Sequence, residues 1–206
     1  MENQPTPAKK SPIMIIVVVI VVIGITVGVY FLVKDGESTE TTNTTTTNTN
    51  TTTASRYTGN SFSVDQPEGW QTGQATGTLV TFQDTSDSHP AGSAADAINF
   101  MTYMTVISDV VNSQTVDEIM DFNIESVLVT YPDTTFSAVT KETIDGQAAA
   151  IVEGELDDSG LVLGILIAIV PKGESYFIIT ANTTTEKWSE YKPIFYETVR
   201  SFEFEY

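Results

Sequence analysis

The chain has 206 residues, 27 acidic against nine basic, a formal charge of −18 and no cysteine. Such an acidic excess excludes a nucleic-acid binder and a protein held to anionic lipid headgroups, since both rely on lysine and arginine. The missing cysteines exclude disulfides, lipid-modified cysteine and thiolate metal sites, so any folded part rests on its apolar core.

Residues 1–12 form a short polar tail containing Lys9 and Lys10. Residues 13–33 are an apolar run without a single charge. As a helix the run spans ~31 Å, matching a hydrocarbon core of ~30 Å. Its valines and isoleucines are mediocre helix formers in water, but lipid requires every backbone group to bond internally. A cleaved signal peptide would have a shorter apolar core and a small-residue cleavage site. This run instead leaves through Tyr30-Phe31-Leu32-Val33-Lys34. A pilin helix would follow a basic-glycine site and carry an early glutamate, and Lys10-Ser11-Pro12 leads into an acid-free run. The run predicts a transmembrane signal anchor whose partner is the lipid bilayer. Gly24 and Gly28 have the small-xxx-small spacing of packed helices, although glycine is also ordinary in membrane segments. Lys9 and Lys10 lie before the run, and after it Lys34 is diluted by Asp35, Glu37 and Glu40. That bias places the N-terminus in the cytoplasm and the rest outside, as a single-pass protein of the cell membrane.

Residues 34–55 are dominated by threonine and asparagine. Such a stretch buries too little apolar surface to offset its ordering entropy and reads as a disordered stalk. As a coil it bridges ~25 Å; sugars would stretch it toward ~70 Å. Asn43 and Asn50 in the stalk, and Asn182 further on, begin Asn-x-Thr glycosylation sequons.

Residues 56–206 have the length of one domain and carry six basic residues against 23 acids, a charge of −17. Asn60–Asp65 alternates as a strand and Pro67-Glu68-Gly69-Trp70 turns; Thr78–Phe82 is a second strand. Asp84–Asp96 reads as a polar loop. Ile98–Val106 reads as a long strand with Ile98, Phe100, Met104 and Val106 on one face. Thr115-Val116-Asp117-Glu118 is a capping box opening a helix that buries Val116, Ile119, Met120, Val127, Leu128 and Tyr131. Its acids also suit the positive end of the helix dipole, and Tyr131-Pro132 ends it. Phe136–Thr143 is a strand, Asp145-Gly146 a tight hairpin turn and Gln147–Glu155 the returning strand. Asp157–Gly160 turns into Leu161–Val170, which is apolar on both faces and must be a central strand covered on both sides. Pro171-Lys172-Gly173 turns and Ser175–Ala181 is the last strand. A closing amphipathic helix buries Trp188, Tyr191, Phe195, Val199 and Phe202, with Pro193 requiring a helix start or a kink. The sum is an α+β chain: a three-layer α/β/α sandwich with a central antiparallel sheet, preceded by one transmembrane helix and a disordered stalk.

Three local patterns carry a resemblance. Phe62-Ser63-Val64-Asp65-Gln66-Pro67-Glu68-Gly69-Trp70 resembles an FSI-x-x-P-x-GW opening, Ile144-Asp145-Gly146-Gln147-Ala148-Ala149 an IDG-x-x-A hairpin, and Tyr191, Phe195 and Val199-Arg200-Ser201-Phe202 a closing helix that ends in SF. Together they resemble the PsbP-like domain family, whose fold is shared with the small Ran-binding nuclear import factor. The resemblance implies an α/β/α sandwich, a binding or accessory role and no shared catalytic residues. Plant members support the oxygen-evolving side of photosystem II; the anchor and stalk are foreign to those soluble lumenal proteins. An anchored surface domain of a prokaryote, an archaeal one above all, fits them better.

Chemistry is sparse. His89 is the only histidine and sits in the Asp87-Ser88-His89-Pro90 loop, whereas a triad needs a histidine oriented by a buried carboxylate. Calcium accepts oxygen ligands, and Glu153, Glu155, Asp157 and Asp158 cluster near one hairpin; their spacing is not that of an EF-hand, and a solvated tip is the simpler reading. Trp70 and Trp188 read as core anchors. No catalytic, cofactor or metal residue is therefore expected. The expected function is a non-catalytic, extracytoplasmic binding or accessory domain that captures an unknown protein or surface ligand and no nucleic acid. The alternative is a cell-surface hydrolase working through acids of the Asp84–Asp96 loop.

Overall fold

The computed structural model describes residues 55–110 and 114–205. The predicted anchor at 13–33, nearly all of the stalk, and Asn43 and Asn50 lie outside the described residues. In chain order the elements are β1 (Arg56–Thr58), β2 (Phe62–Asp65), β3 (Gln71–Gly73), β4 (Val80–Gln83), one helical turn α1 (Ala94–Ala97), β5 (Tyr103–Val110), α2 (Val116–Thr130), β6 (Thr135–Phe136), β7 (Thr140–Ile144), β8 (Gln147–Asp158), β9 (Leu161–Lys172), β10 (Ser175–Thr184), a 3-10 turn at Thr185–Lys187, α3 (Trp188–Arg200) and β11 (Glu203–Phe204).

The fold is α+β with a central antiparallel sheet in the order β3-β4-β5-β10-β9-β8-β6, and β7 also pairs with β8. A smaller sheet, β1-β2-β11, ties the two ends of the domain together. Strand β9 lies deep in the main sheet, as its two-sided apolar sequence requires. Leu163, Ile165, Ile167 and Ile169 join one core with Ile119, Met120 and Val127 of α2. Leu166, Ala168 and Val170 join the other, with Tyr191, Phe195 and Val199 of α3 and with Phe62, Phe202 and Phe204 of the small sheet and its approach. Each face of the sheet thus has its own helix and its own core.

Local chemistry sets the boundaries. Thr115 accepts from the Glu118 N–H at 3.2 Å while the Glu118 carboxylate accepts from the Thr115 N–H at 2.7 Å, a complete capping box. Thr115→Ala is expected to destabilise the domain by about 1 kcal/mol without changing its cooperativity, as urea unfolding would show. Asp145 and Gly146 both take positive φ, 45° and 74°, the pair that a two-residue hairpin turn demands. Helix α3 runs through Pro193. The carbonyl left without its amide partner belongs to Ser189, an exposed residue of the helix's first turn.

Several expectations are corrected. The strand placed at Ile98–Val106 begins only at Tyr103 and runs on to Val110. Asn99 adopts a left-handed φ of 51° and the Phe100 N–H bonds back to the Ala95 carbonyl, so the chain is not extended there. The alternation breaks as a result: Phe100 packs on the α2 side, Met104 and Val106 pack on the α3 side, and Ile98 is 44% exposed. The Asp84–Asp96 loop ends in the helical turn α1, capped by the Ser93 hydroxyl. The strand placed at Phe136–Thr143 is two strands, β6 and β7, both on the free side of β8. Pro171 and Lys172 remain in β9, and the turn falls at Gly173-Glu174. Short strands β1, β3 and β11 were not legible, and on α2 the unforeseen buried residue is Asn123, whose amide donates to the Ile119 carbonyl at 2.7 Å.

Candidate functional site

The loop after β4 is tied to the start of α3 by a set of charged and hydroxyl groups. Asp84 accepts from the Ser86 N–H at 2.9 Å and hydroxyl at 2.6 Å, and from the Tyr191 hydroxyl at 2.7 Å. Asp87 accepts from the Thr102 N–H at 2.8 Å and hydroxyl at 2.7 Å, and pairs with Lys187. Lys187 also donates to the Ser88 carbonyl at 2.7 Å, and Thr102 lies 2.7 Å from the Thr183 hydroxyl of β10. Burial alone would raise both carboxyl pKa values. In Asp84 the Ser86 and Tyr191 hydrogen bonds and the Lys187 charge outweigh it, in Asp87 the bonds from Lys187 and Thr102, so both are held below the ordinary aspartate range.

His89 is enclosed by this loop. Its side chain is 4% exposed, its Nε2 lies 3.4 Å from Asp87 Oδ2 without the geometry of a hydrogen bond, and its ring packs on Phe100 at 5.7 Å. No serine or threonine among the described residues hydrogen-bonds to it. The arrangement is a buried clamp that joins loop to helix, and each of its two carboxylates already accepts from three donors.

The second polar constellation is open. A cleft of about 300 Å³ lies on the α3 side of the sheet, where β6, β8 and β9 meet the start of α3. Register puts Thr135 opposite Glu155 and Glu155 opposite Gly164, so these share one face and form the floor with Ser137 and Glu153. Trp188 and Thr185 form the wall. Gly164 makes the wall possible, because a Cβ there would come within 2.8 Å of the Trp188 ring. Gly154 does the same on the opposite face, where a Cβ would meet the Phe136 ring at 2.8 Å.

The two cleft carboxylates differ. Glu153 accepts from Lys192 at 2.8 Å and from the Tyr196 hydroxyl at 2.7 Å. Burial works to raise its pKa, but the Lys192 and Tyr196 hydrogen bonds, the Lys192 charge and a bond from Trp188 hold it below the usual glutamate range. Glu155 is exposed, and its carboxylate has no hydrogen bond or ion pair among the described residues.

The expected site residues fall as follows. Glu153 and Glu155 do share a face, while Asp157 instead caps the hairpin by accepting from the Gly160 N–H at 2.6 Å. No group of three or more metal-ligating side chains converges among the described residues. Asn182 lies inside β10 at 4% exposure, so a glycan attached there has no room in the folded domain. Trp70 is a core anchor, packed edge-on against Tyr191 and Phe195. Trp188 touches the core through Phe195 and also faces the cleft. The partners of these acids, Lys187, Lys192, Tyr191 and Tyr196, were missed as a set. Spacing gave no signal for these pairings, because six cations face 23 acids and each tyrosine hydroxyl finds its acceptor far along the chain.

The family described as PsbP-like protein matches residues 13–204. Among curated proteins no sequence matches. The fold is similar to the solution structure of cyanobacterial PsbP (CyanoP) from Synechocystis, with a TM-score of 0.57, 14% identity, and coverage of 79% of this chain and 98% of that one. It is also similar to LpqN of Mycobacterium tuberculosis, a protein involved in cell envelope biogenesis, with a TM-score of 0.54, 12% identity, and coverage of 74% and 86%. A third similar structure is PA94 of Pseudomonas aeruginosa, a protein of unknown function, with a TM-score of 0.50, 15% identity, and coverage of 72% and 94%. At these identities the structures share the fold and nothing finer. The match over 13–204, together with the opening, hairpin and closing-helix patterns now seen in place, means that this chain belongs to the PsbP-like protein family.

Proposed function

We propose that this protein is a non-catalytic binding module, held at the outer face of the cell membrane by residues 13–33, that presents its acidic domain on a Thr/Asn-rich stalk to a protein partner. The observation that carries the reading is the state of the loop acids. A hydrolase working through Asp84 and Asp87 needs carboxylates free to take or give a proton to substrate. Both are instead occupied by internal donors and held ionised in an enclosed clamp, and the third acid of that loop, exposed Asp96 of the one-turn helix α1, accepts from the Gly92 N–H at 2.8 Å. The open groups lie in the Trp188–Glu155 cleft, whose residues are suited to contact and hold no nucleophile–base pair. Shared fold with an envelope-biogenesis protein is in keeping with an envelope location, by analogy only.

The test places a photo-crosslinking residue at Thr185 or Thr135 on the cleft rim, and as a control at Val129 on the exposed face of α2, in the full chain expressed in its host. Reproducible adducts to one partner from the rim positions and none from Val129 are expected. Equal labelling from all three positions, or none from any, overturns the binding-module reading. Protease treatment of intact cells that spared the domain would remove its outward placement.

A further inference from the structure

We infer that the Trp188–Glu155 cleft takes the side chain of a lysine or arginine presented by a partner polypeptide. The inference rests on the binding-module reading and names what the module grips. Size comes first: at about 300 Å³ the cleft stands at the low end of small-ligand pockets (~300–1,000 Å³), so it suits one side chain. Chemistry comes second. Its lining combines an aromatic surface, Trp188, with the hydroxyl-bearing Thr135, Ser137 and Thr185 and two carboxylates. A long basic side chain is built the same way, an apolar stem ending in a charged head.

Charge decides between a cation and a neutral guest. Glu153 is already offset by Lys192, which leaves Glu155 as the uncompensated charge at the floor. The start of α3 adds fractional positive charge beside the cleft, and Glu186 and Glu190 in its first turns offset it. The domain cannot supply the missing cation itself. Arg56 holds Asp65 and Glu203, Lys141 holds Asp117, Lys187 holds Asp87, Lys192 holds Glu153, Arg200 holds Glu142, and Lys172 donates to the Glu205 carbonyl. Against a domain charge of −17, a basic guest is also steered in from a distance.

The test uses the full chain, kept soluble in a mild non-ionic detergent, titrated with a capped pentapeptide carrying one arginine. The same peptide with citrulline, isosteric but uncharged, is the control, and spermidine and a neutral hexose are the competing guests. Amide shifts followed by NMR are expected at Thr135, Glu155, Gly164 and Thr185. The citrulline peptide should bind about tenfold more weakly, and Glu155→Gln should weaken the arginine peptide by a similar factor. Glu155 is exposed and has no partner, so that variant folds. Equal binding of the citrulline peptide, shifts mapping elsewhere, or tighter binding of spermidine or hexose overturns the inference. Rim crosslinks that persist while arginine and citrulline peptides bind alike leave the module standing and remove only its preference for a basic side chain.

Discussion

Replacing Asp87 by alanine is expected to lower the unfolding free energy by about 3 kcal/mol, in the range for breaking a buried charged pair. The carboxylate is fully enclosed, and three donors converge on it: the Thr102 N–H, the Thr102 hydroxyl and Lys187. Alanine removes the acceptor and leaves the Thr102 amide facing a wall of protein, the costly half of any hydrogen-bond deletion. Lys187 is 24% exposed and can turn toward water, which keeps the figure at the low end of that range. Asparagine keeps the shape and one acceptor, so Asp87→Asn should cost roughly half as much. The sign with pH follows from the depressed carboxyl. The folded pKa lies below the unfolded value of about 3.9, so the stabilisation is complete above that value and is lost as pH falls through the folded pKa. Asp84 and Glu153 are depressed as well and steepen the same acid limb. Urea unfolding from pH 7 down to pH 3 would show the wild type falling steeply below about pH 4 and Asp87→Asn falling less. An Asp87→Ala cost under about 1 kcal/mol, or an acid limb identical in the two proteins, would mean the clamp contributes nothing.

What could be read from the chain, and what could not, divides along the range of the interactions. The capping box at Thr115, the Asp145-Gly146 turn and the two-sided strand β9 were all legible because each is dictated within a few residues of sequence. The small sheet was not. Its strands β1 and β11 are three and two residues long and exist because β2 lies between them, with Arg56 reaching Asp65, Glu203 and the Ser201 carbonyl. The register around Phe100 failed for a similar reason. An asparagine in the left-handed region is invisible to an alternation rule, and one such residue moves every following side chain to the other face. The same limit hid the site. Glu153 and Glu155 could be placed on one face by their spacing, but only the fold shows that Lys192 and Tyr196 occupy one and leave the other open. His89 looked like a loop residue and is a buried one, because Asp87 and Phe100 come to it from 2 and 11 positions away.

Gly164 supplies the second large effect, and it joins stability to the cleft. No positive φ protects this position, so a substitution is judged by space alone. A Cβ would meet the Trp188 ring along its six-membered edge, at Cε3, at the fused carbon Cδ2 (2.8 Å) and at Cζ3 (3.1 Å), inside contact distance. The indole cannot swing aside freely, since Phe195, two turns further along α3, packs on it at 5.8 Å and is itself fully buried. Either the ring leaves its rotamer or the start of α3 lifts from β9, and overpacking of this kind costs about 1–3 kcal/mol. A strand alanine returns roughly 0.5–1 kcal/mol through its reduced unfolded-state entropy, so the expected net cost of Gly164→Ala is about 1 kcal/mol. The diagnostic is the pair of changes. Trp188→Leu removes the ring that the new methyl would strike, so in that background Gly164→Ala should stabilise by about 0.5–1 kcal/mol, a coupling of about 2 kcal/mol in a double-mutant cycle. Urea unfolding of the four proteins measures it. Additive costs would show that the ring does not rest on the strand, and the cleft would lose the wall on which its grip depends.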